Sequence, residues 1–110
     1  MIQIFGTTKC KETKKAERYF KERSIAFQFR DLLEKGISPR ELDELLQQWD
    51  LETVIDSTSQ FYKKQGYEHL VFNGRDEILE HPQLCKTPLI RKDKKWLVGF
   101  DLAQVKTFIG

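Results

Sequence analysis

The sequence predicts an α/β fold, a mixed four-stranded sheet in the order βαβ, helices, ββα, and three observations carry that prediction. Apolar residues alternate at Ile2 and Ile4 and again at Ile25, Phe27 and Phe29, while Ala16, Tyr19, Phe20 and Arg23 between them recur at helical spacing. Ser38-Pro39-Arg40-Glu41 combines an N-cap, a proline at the first helical position and a capping-box glutamate. Leu89-Ile90 and Trp96-Leu97-Val98 flank the polar Lys92-Asp93-Lys94-Lys95, the pattern of an antiparallel hairpin.

Taken in order, a strand over Met1 to Phe5 leads into Gly6-Thr7-Thr8-Lys9, and Lys11 to Arg23 reads as a helix. The crossover is short, so the strands at its two ends are expected to run parallel, with the helix on one face in the right-handed sense. A second helix opens at Ser38 and shows one apolar face at Leu42, Leu45, Leu46 and Trp49. The stretch from Asp56 to His81 is less regular: polar Asp56-Ser57-Thr58-Ser59, a helix over Gln60 to Lys64, a turn at Asn73-Gly74 and a short helix near Asp76 to Glu80. Residues 38–82 thus read as a helical insert within one domain of residues 1–110. Asp101 and Gln104 form a capping-box-like start to a last helix, with Leu102, Val105 and Ile109 expected inward. No internal repeat, low-complexity segment or interdomain linker is visible.

At 110 residues with net charge +2 and 33% charged residues, the chain has a mixed surface, without the strongly basic face of a nucleic-acid binder. No apolar run approaches the ~20 residues of a membrane span, and the chain opens on a strand instead of a basic stretch followed by an apolar one. A cytoplasmic monomer is expected, with no direct contact to nucleic acid or membrane. Cys10 and Cys85 are the two cysteines, too few for a secreted disulfide framework. His69 and His81 stand at no ligand spacing with either cysteine, so no metal site is expected and each histidine reads as a surface or helix-end residue.

Cys10 is the candidate nucleophile. A helix start presents unpaired N–H groups and partial positive charge, which favour a thiolate over a thiol. Lys9 and Lys11 push the same way and Glu12 opposes them, while Thr13, one turn on, is placed to donate its hydroxyl to the sulfur. The alternative is an ordinary small buried cysteine, but a Gly-Thr-Thr loop and flanking lysines favour the nucleophile. At the carboxyl end of the first strand, Cys10 lies where open α/β sheets usually bind ligands. Cys85 either approaches Cys10 or packs in the core beside Leu84, and the core reading is favoured.

Pro88 stands at the mouth of the third strand, where a proline begins a strand or lies on an edge. The βαβ…ββα order is similar to the thioredoxin-like layout, whose loop before the third strand carries a cis proline facing the nucleophile, so Thr87–Pro88 is expected to be cis. Cys10 at the strand-to-helix turn, Thr13-Lys14, the Ser-Pro-Arg-Glu-Leu helix and His81-Pro82-Gln83-Leu84-Cys85-Lys86-Thr87-Pro88-Leu89-Ile90…Val98-Gly99-Phe100 together resemble the arsenate reductase family. The resemblance covers nearly the whole chain. It implies a thioredoxin-like fold with a helical insert, no bound cofactor, and glutathione or another low-molecular-weight thiol as co-substrate.

In members that reduce arsenate, the cysteine attacks the oxyanion and three arginines hold it. Here Thr87 stands before the strand-opening proline, Asp101 follows Gly99-Phe100, and Asp56 to Gln60 holds no arginine. Paired guanidinium donors are replaced by groups that bind a tetrahedral oxyanion poorly or repel it, which argues against arsenate reduction. The expected function is therefore a thiol-dependent oxidoreductase with Cys10 as monothiol nucleophile and Thr13 bonding the thiolate. In it Lys9, Lys11, Lys14, Thr87 and Pro88 bind the substrate, Lys14 at a glutathione carboxylate and the Thr87-Pro88 backbone along the incoming thiol or peptide. Its partner would be a thiol donor or redox protein. The family also contains Spx-type regulators, which implies the alternative of a protein that binds RNA polymerase without catalysis; their second cysteine is replaced by Thr13, so an internal Cys-x-x-Cys switch is excluded. Oxyanion reduction using other cations, such as Lys86 or Arg91, ranks last.

Overall fold

Successive side chains of a strand point to opposite faces, and β1 (Ile2–Gly6) uses both in the computed structural model, which describes residues 1–110. Ile2 and Ile4 join one buried cluster with Ala16, Tyr19 and Phe20 of α1 (Lys11–Glu22) and Val105 of α6 (Leu102–Ile109). Phe5 joins a second cluster with Leu42, Leu45, Val54 and Ile78 of the insert. The same alternation divides Ile90 from Leu89 and Leu97 from Trp96, so the core is two layers separated by the sheet.

The strand order is β2 (Phe27–Asp31), β1, β3 (Leu89–Lys92), β4 (Lys95–Val98). β1 runs parallel to β2, pairing Ile4 with Phe29, and antiparallel to β3, which is itself antiparallel to β4. Between β2 and β3 lie α2 (Pro39–Leu46), α3 (Leu51–Val54), α4 (Gln60–Lys64) and α5 (Gly74–Glu80), with 3-10 turns at Tyr67–His69 and Pro82–Leu84. His69 and His81 both stand at helix ends.

The bounds depart from the sequence reading where tertiary contacts intervene. β1 runs one residue further, because Gly6 pairs with Asp31 and its carbonyl accepts the N–H of Leu32. β2 begins at Phe27 instead of Ile25, because Ser24 turns the chain at φ 55° and the Ile25 N–H is spent on the Phe20 carbonyl. α1 ends at Glu22 with Arg23 as its C-cap; Arg23 is exposed, its guanidinium lying over the Tyr19 ring at 3.8 Å. α2 ends at Leu46, so Trp49 lies beyond the helix, where its indole N–H donates to the Trp96 carbonyl. α3 has no counterpart in the sequence reading: Asp50 caps it and Val54 anchors it. Asn73-Gly74 is not a separate turn, since Asn73 is the N-cap of α5 and Gly74 its first residue. Lys92 and Lys95 belong to the hairpin strands, leaving Asp93-Lys94 as the turn with Asp93 at φ 58°. Leu102, expected inward, is 46% exposed at the first position of α6, while Val105 is fully buried and Ile109 partly so.

Candidate active site

Three segments meet at one end of the sheet: the end of β1, the start of α1 and the residues before β3. Gly6 closes β1 in contact with Thr13, and a Cβ there would stand 2.4 Å from the Thr13 hydroxyl oxygen. A turn over Thr8 and Lys9 follows, with the Cys10 N–H donating to the Thr7 carbonyl. Cys10 is the N-cap of α1, in extended backbone with its carbonyl accepting from the Lys14 N–H. The third segment is held by a short antiparallel bridge between Ile55 and Cys85, in which Lys86 N–H donates to Val54 and Asp56 N–H to Leu84. The Thr87–Pro88 bond is cis and Pro88 is buried, its carbonyl accepting from the Gly99 N–H.

Thr87 is bonded directly to the half-buried sulfur. The Cys10 thiol donates to the Thr87 carbonyl at 3.7 Å, and the Thr87 hydroxyl donates to Cys10 Sγ at 3.0 Å. Thr13 is fully buried on the helix side, and its hydroxyl has no aligned partner. Cys10 likewise makes no side-chain cap bond to the helix start. Partial burial pushes the Cys10 pKa up, but the Thr13 and Thr87 hydroxyls and the N–H groups of Thr13 and Glu12 outweigh it and hold the thiol below its ordinary value. The two bonds to Thr87 are formed with the neutral thiol, whereas the Thr13 hydroxyl is unpartnered there and favours the sulfur once it carries charge.

That cause corrects part of the sequence reading. The sequence reading has the lysines beside Cys10 lowering its pKa, yet the lowering comes from neutral hydrogen-bond donors. Lys9, Lys11 and Lys14 are exposed, and none forms an ion pair; Glu12, expected to oppose them, is paired with Lys15 at 3.1 Å. Arg91 is held by Glu44 at 2.8 Å and by Gln3, and Arg30 by a two-point fork on Glu41, so neither guanidinium stands free to meet an oxyanion. Lys86 is exposed beside Thr87.

Cys85 is a free, buried thiol within the insert-side cluster, and burial pushes its pKa up to about 12. The core reading of Cys85 is the one observed. Sequence reasoning gave Thr87 a backbone role and missed its hydroxyl; a hydroxyl residue preceding a strand-opening proline was the available signal. It placed Gly6 in the loop and missed its pairing at the end of β1 and its close contact with Thr13.

A four-stranded βαβ…ββα sheet with a single accessible thiol at the start of its first helix, facing a cis-proline loop, defines a protein of the thioredoxin-like fold. Residues 5–108 match the ArsC family, and the chain belongs to it. Among curated relatives, it is 27% identical over 113 residues to the global transcriptional regulator Spx 2 of Oceanobacillus iheyensis, covering 98% of this chain and 83% of that one. Among solved structures, it superimposes on the YFFB (PA3664) protein with a TM-score of 0.90 at 20% identity, covering 100% of both chains. An arsenate reductase from Vibrio cholerae gives 0.81 at 21% identity, covering 96% of this chain and 95% of that one. At these identities the structural likenesses establish the fold.

Proposed function

We propose that this protein is a thiol-dependent oxidoreductase in which Cys10 is a monothiol nucleophile. The observation that carries the reading is the sulfur itself: it is accessible, at a helix start, bonded to Thr87 and surrounded by donors that favour the thiolate. The Cys10 thiolate attacks one sulfur of a disulfide R–S–S–R′, forming Cys10–S–S–R and releasing R′–S⁻. A second thiolate, of glutathione or another low-molecular-weight thiol, then attacks the sulfur of R, restoring the Cys10 thiolate and leaving R in a new disulfide. Electrons move from the external thiols to the substrate, and no further redox group is required.

Thr13 and Thr87 supply neutral donors at the sulfur, and the backbone at Thr87-Pro88 lies along the incoming molecule. Lys9, Lys11 and Lys14, free of acidic partners, are available to carboxylates of the thiol donor, with Lys14 one turn along the helix from Cys10. The reacting centre thus carries no fixed charge while its rim is cationic. That suits a neutral sulfur with carboxylates some distance away better than an oxyanion, whose charge falls on the reacting group. A thiol-reducing compartment such as the cytoplasm supplies the donor.

The test is thiol transfer from a glutathione mixed disulfide, followed with excess glutathione. Wild type is expected to turn over and Cys10→Ser to fall to background; equal rates for the two would sink the mechanism. A second reading, regulation through binding RNA polymerase, rests on the likeness to a relative named a transcriptional regulator. Recovery of polymerase on the immobilised protein, equal for wild type and Cys10→Ser, together with absent thiol transfer, would favour it.

A further inference from the structure

One residue touches the Cys10 sulfur twice, and the two contacts respond oppositely to ionisation. The thiol donates its proton to the Thr87 carbonyl, a contact that vanishes when that proton leaves for solvent. The Thr87 hydroxyl donates to the sulfur at 3.0 Å, and a hydrogen bond to a charged acceptor is roughly twice as strong as one to a neutral acceptor. We propose that the Thr87 side chain is the positioning residue of the nucleophile: its hydroxyl holds Sγ against the loop preceding β3 in the thiol state and remains bonded when the sulfur becomes a thiolate. The inference rests on the reading of Cys10 as nucleophile and adds to it a role for the side chain of Thr87 distinct from that of its backbone.

Placement on the far side supports this. Thr13 is fully buried with its hydroxyl unpartnered, so the sulfur has one engaged hydroxyl on the loop side and one idle hydroxyl on the helix side. The neutral thiol is therefore turned toward Thr87 and away from the helix start. In a mixed disulfide the sulfur is again a weak acceptor, so the Thr87 bond is strongest only in the thiolate. It thereby stabilises Cys10 both as attacking group and as leaving group when the external thiol resolves the adduct.

The test is the pH profile of Cys10 alkylation by iodoacetamide from pH 5 to 10, read by mass spectrometry for wild type, Thr87→Ser, Thr87→Val and Thr87→Ala. Valine keeps the branched shape, and alanine provides a second variant without the hydroxyl should valine fail to fold. Loss of the hydroxyl is expected to lower the alkylation rate at pH 7 by about three- to tenfold, with the difference closing at high pH, while Thr87→Ser stays within about twofold of wild type. Superimposed profiles for wild type and the hydroxyl-free variants would overturn the inference. So would a Thr87→Ser profile as impaired as that of Thr87→Ala, since the role would then be one of packing. A Thr87-dependent profile without any thiol transfer by wild type would defeat the proposed function and leave this inference standing; transfer with a Thr87-independent profile would do the reverse.

Discussion

A Cβ at Gly6 would meet the Thr13 side chain at 2.4, 2.6 and 3.0 Å, the first two closer than real Cβ atoms come to a neighbour. Thr13 is fully buried and sits in the first turn of α1, so it has little room to yield. Gly6→Ala is expected to cost about 1–3 kcal/mol in urea unfolding and to change the pH profile of Cys10 alkylation, because the displaced Thr13 hydroxyl, unpartnered beside the neutral thiol, is one of the groups that favour the thiolate. The two thiols should also separate cleanly: in the folded protein one equivalent of iodoacetamide label enters at Cys10, and Cys85 becomes labelled only in denaturant. Rapid native labelling of Cys85 would contradict its burial. Cys10, Thr13 and the Thr87-Pro88 loop were legible because each carries a local signature, a helix start, an i,i+3 spacing or a proline. The hydroxyl contact of Thr87 was not, since it joins residues 77 apart and depends on how the loops meet.

The start of α2 shows how much a local motif can carry. The Ser38 hydroxyl oxygen accepts from the Glu41 N–H, the Glu41 carboxylate accepts from the Ser38 N–H, and Pro39 occupies the first helical position. The carboxylate of Glu41 also grips Arg30 of β2 by a fork at 2.9 and 2.7 Å, and Arg30 lies 4.7 Å from the Phe5 ring centroid. Ser38→Ala should therefore cost about 1 kcal/mol, the usual value of a cap. Glu41→Gln should cost more, about 2–3 kcal/mol, because it leaves a largely buried guanidinium without its counter-charge. Equal losses for the two in urea unfolding would show that the fork adds nothing. The cap was readable from four consecutive letters; the fork was not, since it crosses from insert to sheet edge. α3 escaped for a related reason: four residues are too few to show a period, and the helix exists because Asp50 caps it and Val54 finds the core.

For the whole molecule, stability should be bounded on both sides of neutral pH by different groups. Burial raises the pKa of Glu41 and Glu44, but Arg30 with the Ser38 N–H outweighs it for Glu41, and Arg91 with the Trp96 indole for Glu44, so both are held below the ordinary carboxylate range. The unfolded chain then binds protons first, and the stability these carboxylates confer is complete above ~4.3 and lost as pH falls through their folded values. Cys85 and Tyr67 act at the other end, both pushed up to about 12, Cys85 by burial and Tyr67 by burial and its bond to Glu77. The unfolded groups lose protons first, from ~8.5 for the thiol and ~10 for the phenol, so stability declines as pH rises through that window. Cys85→Ala should flatten the decline between pH 8.5 and 10 in urea midpoints while leaving the acid limb unchanged; an unchanged alkaline limb would show that Cys85 ionises freely in the folded state. The order of elements was legible because it follows from alternation and helical period, whereas the division of the core into two layers required the sheet to be assembled.

The sealed position of Cys85 also sets what the molecule can store. With no second reachable sulfur, an oxidising equivalent taken up as a disulfide at Cys10 has to be shared with another molecule, because the chain has no internal bond in which to keep it. In the proposed reaction the lifetime of that adduct would track the concentration and ionisation of the thiols around it, so relaxation to the reduced form would be second order overall, paced by its surroundings and not by a clock built into the fold.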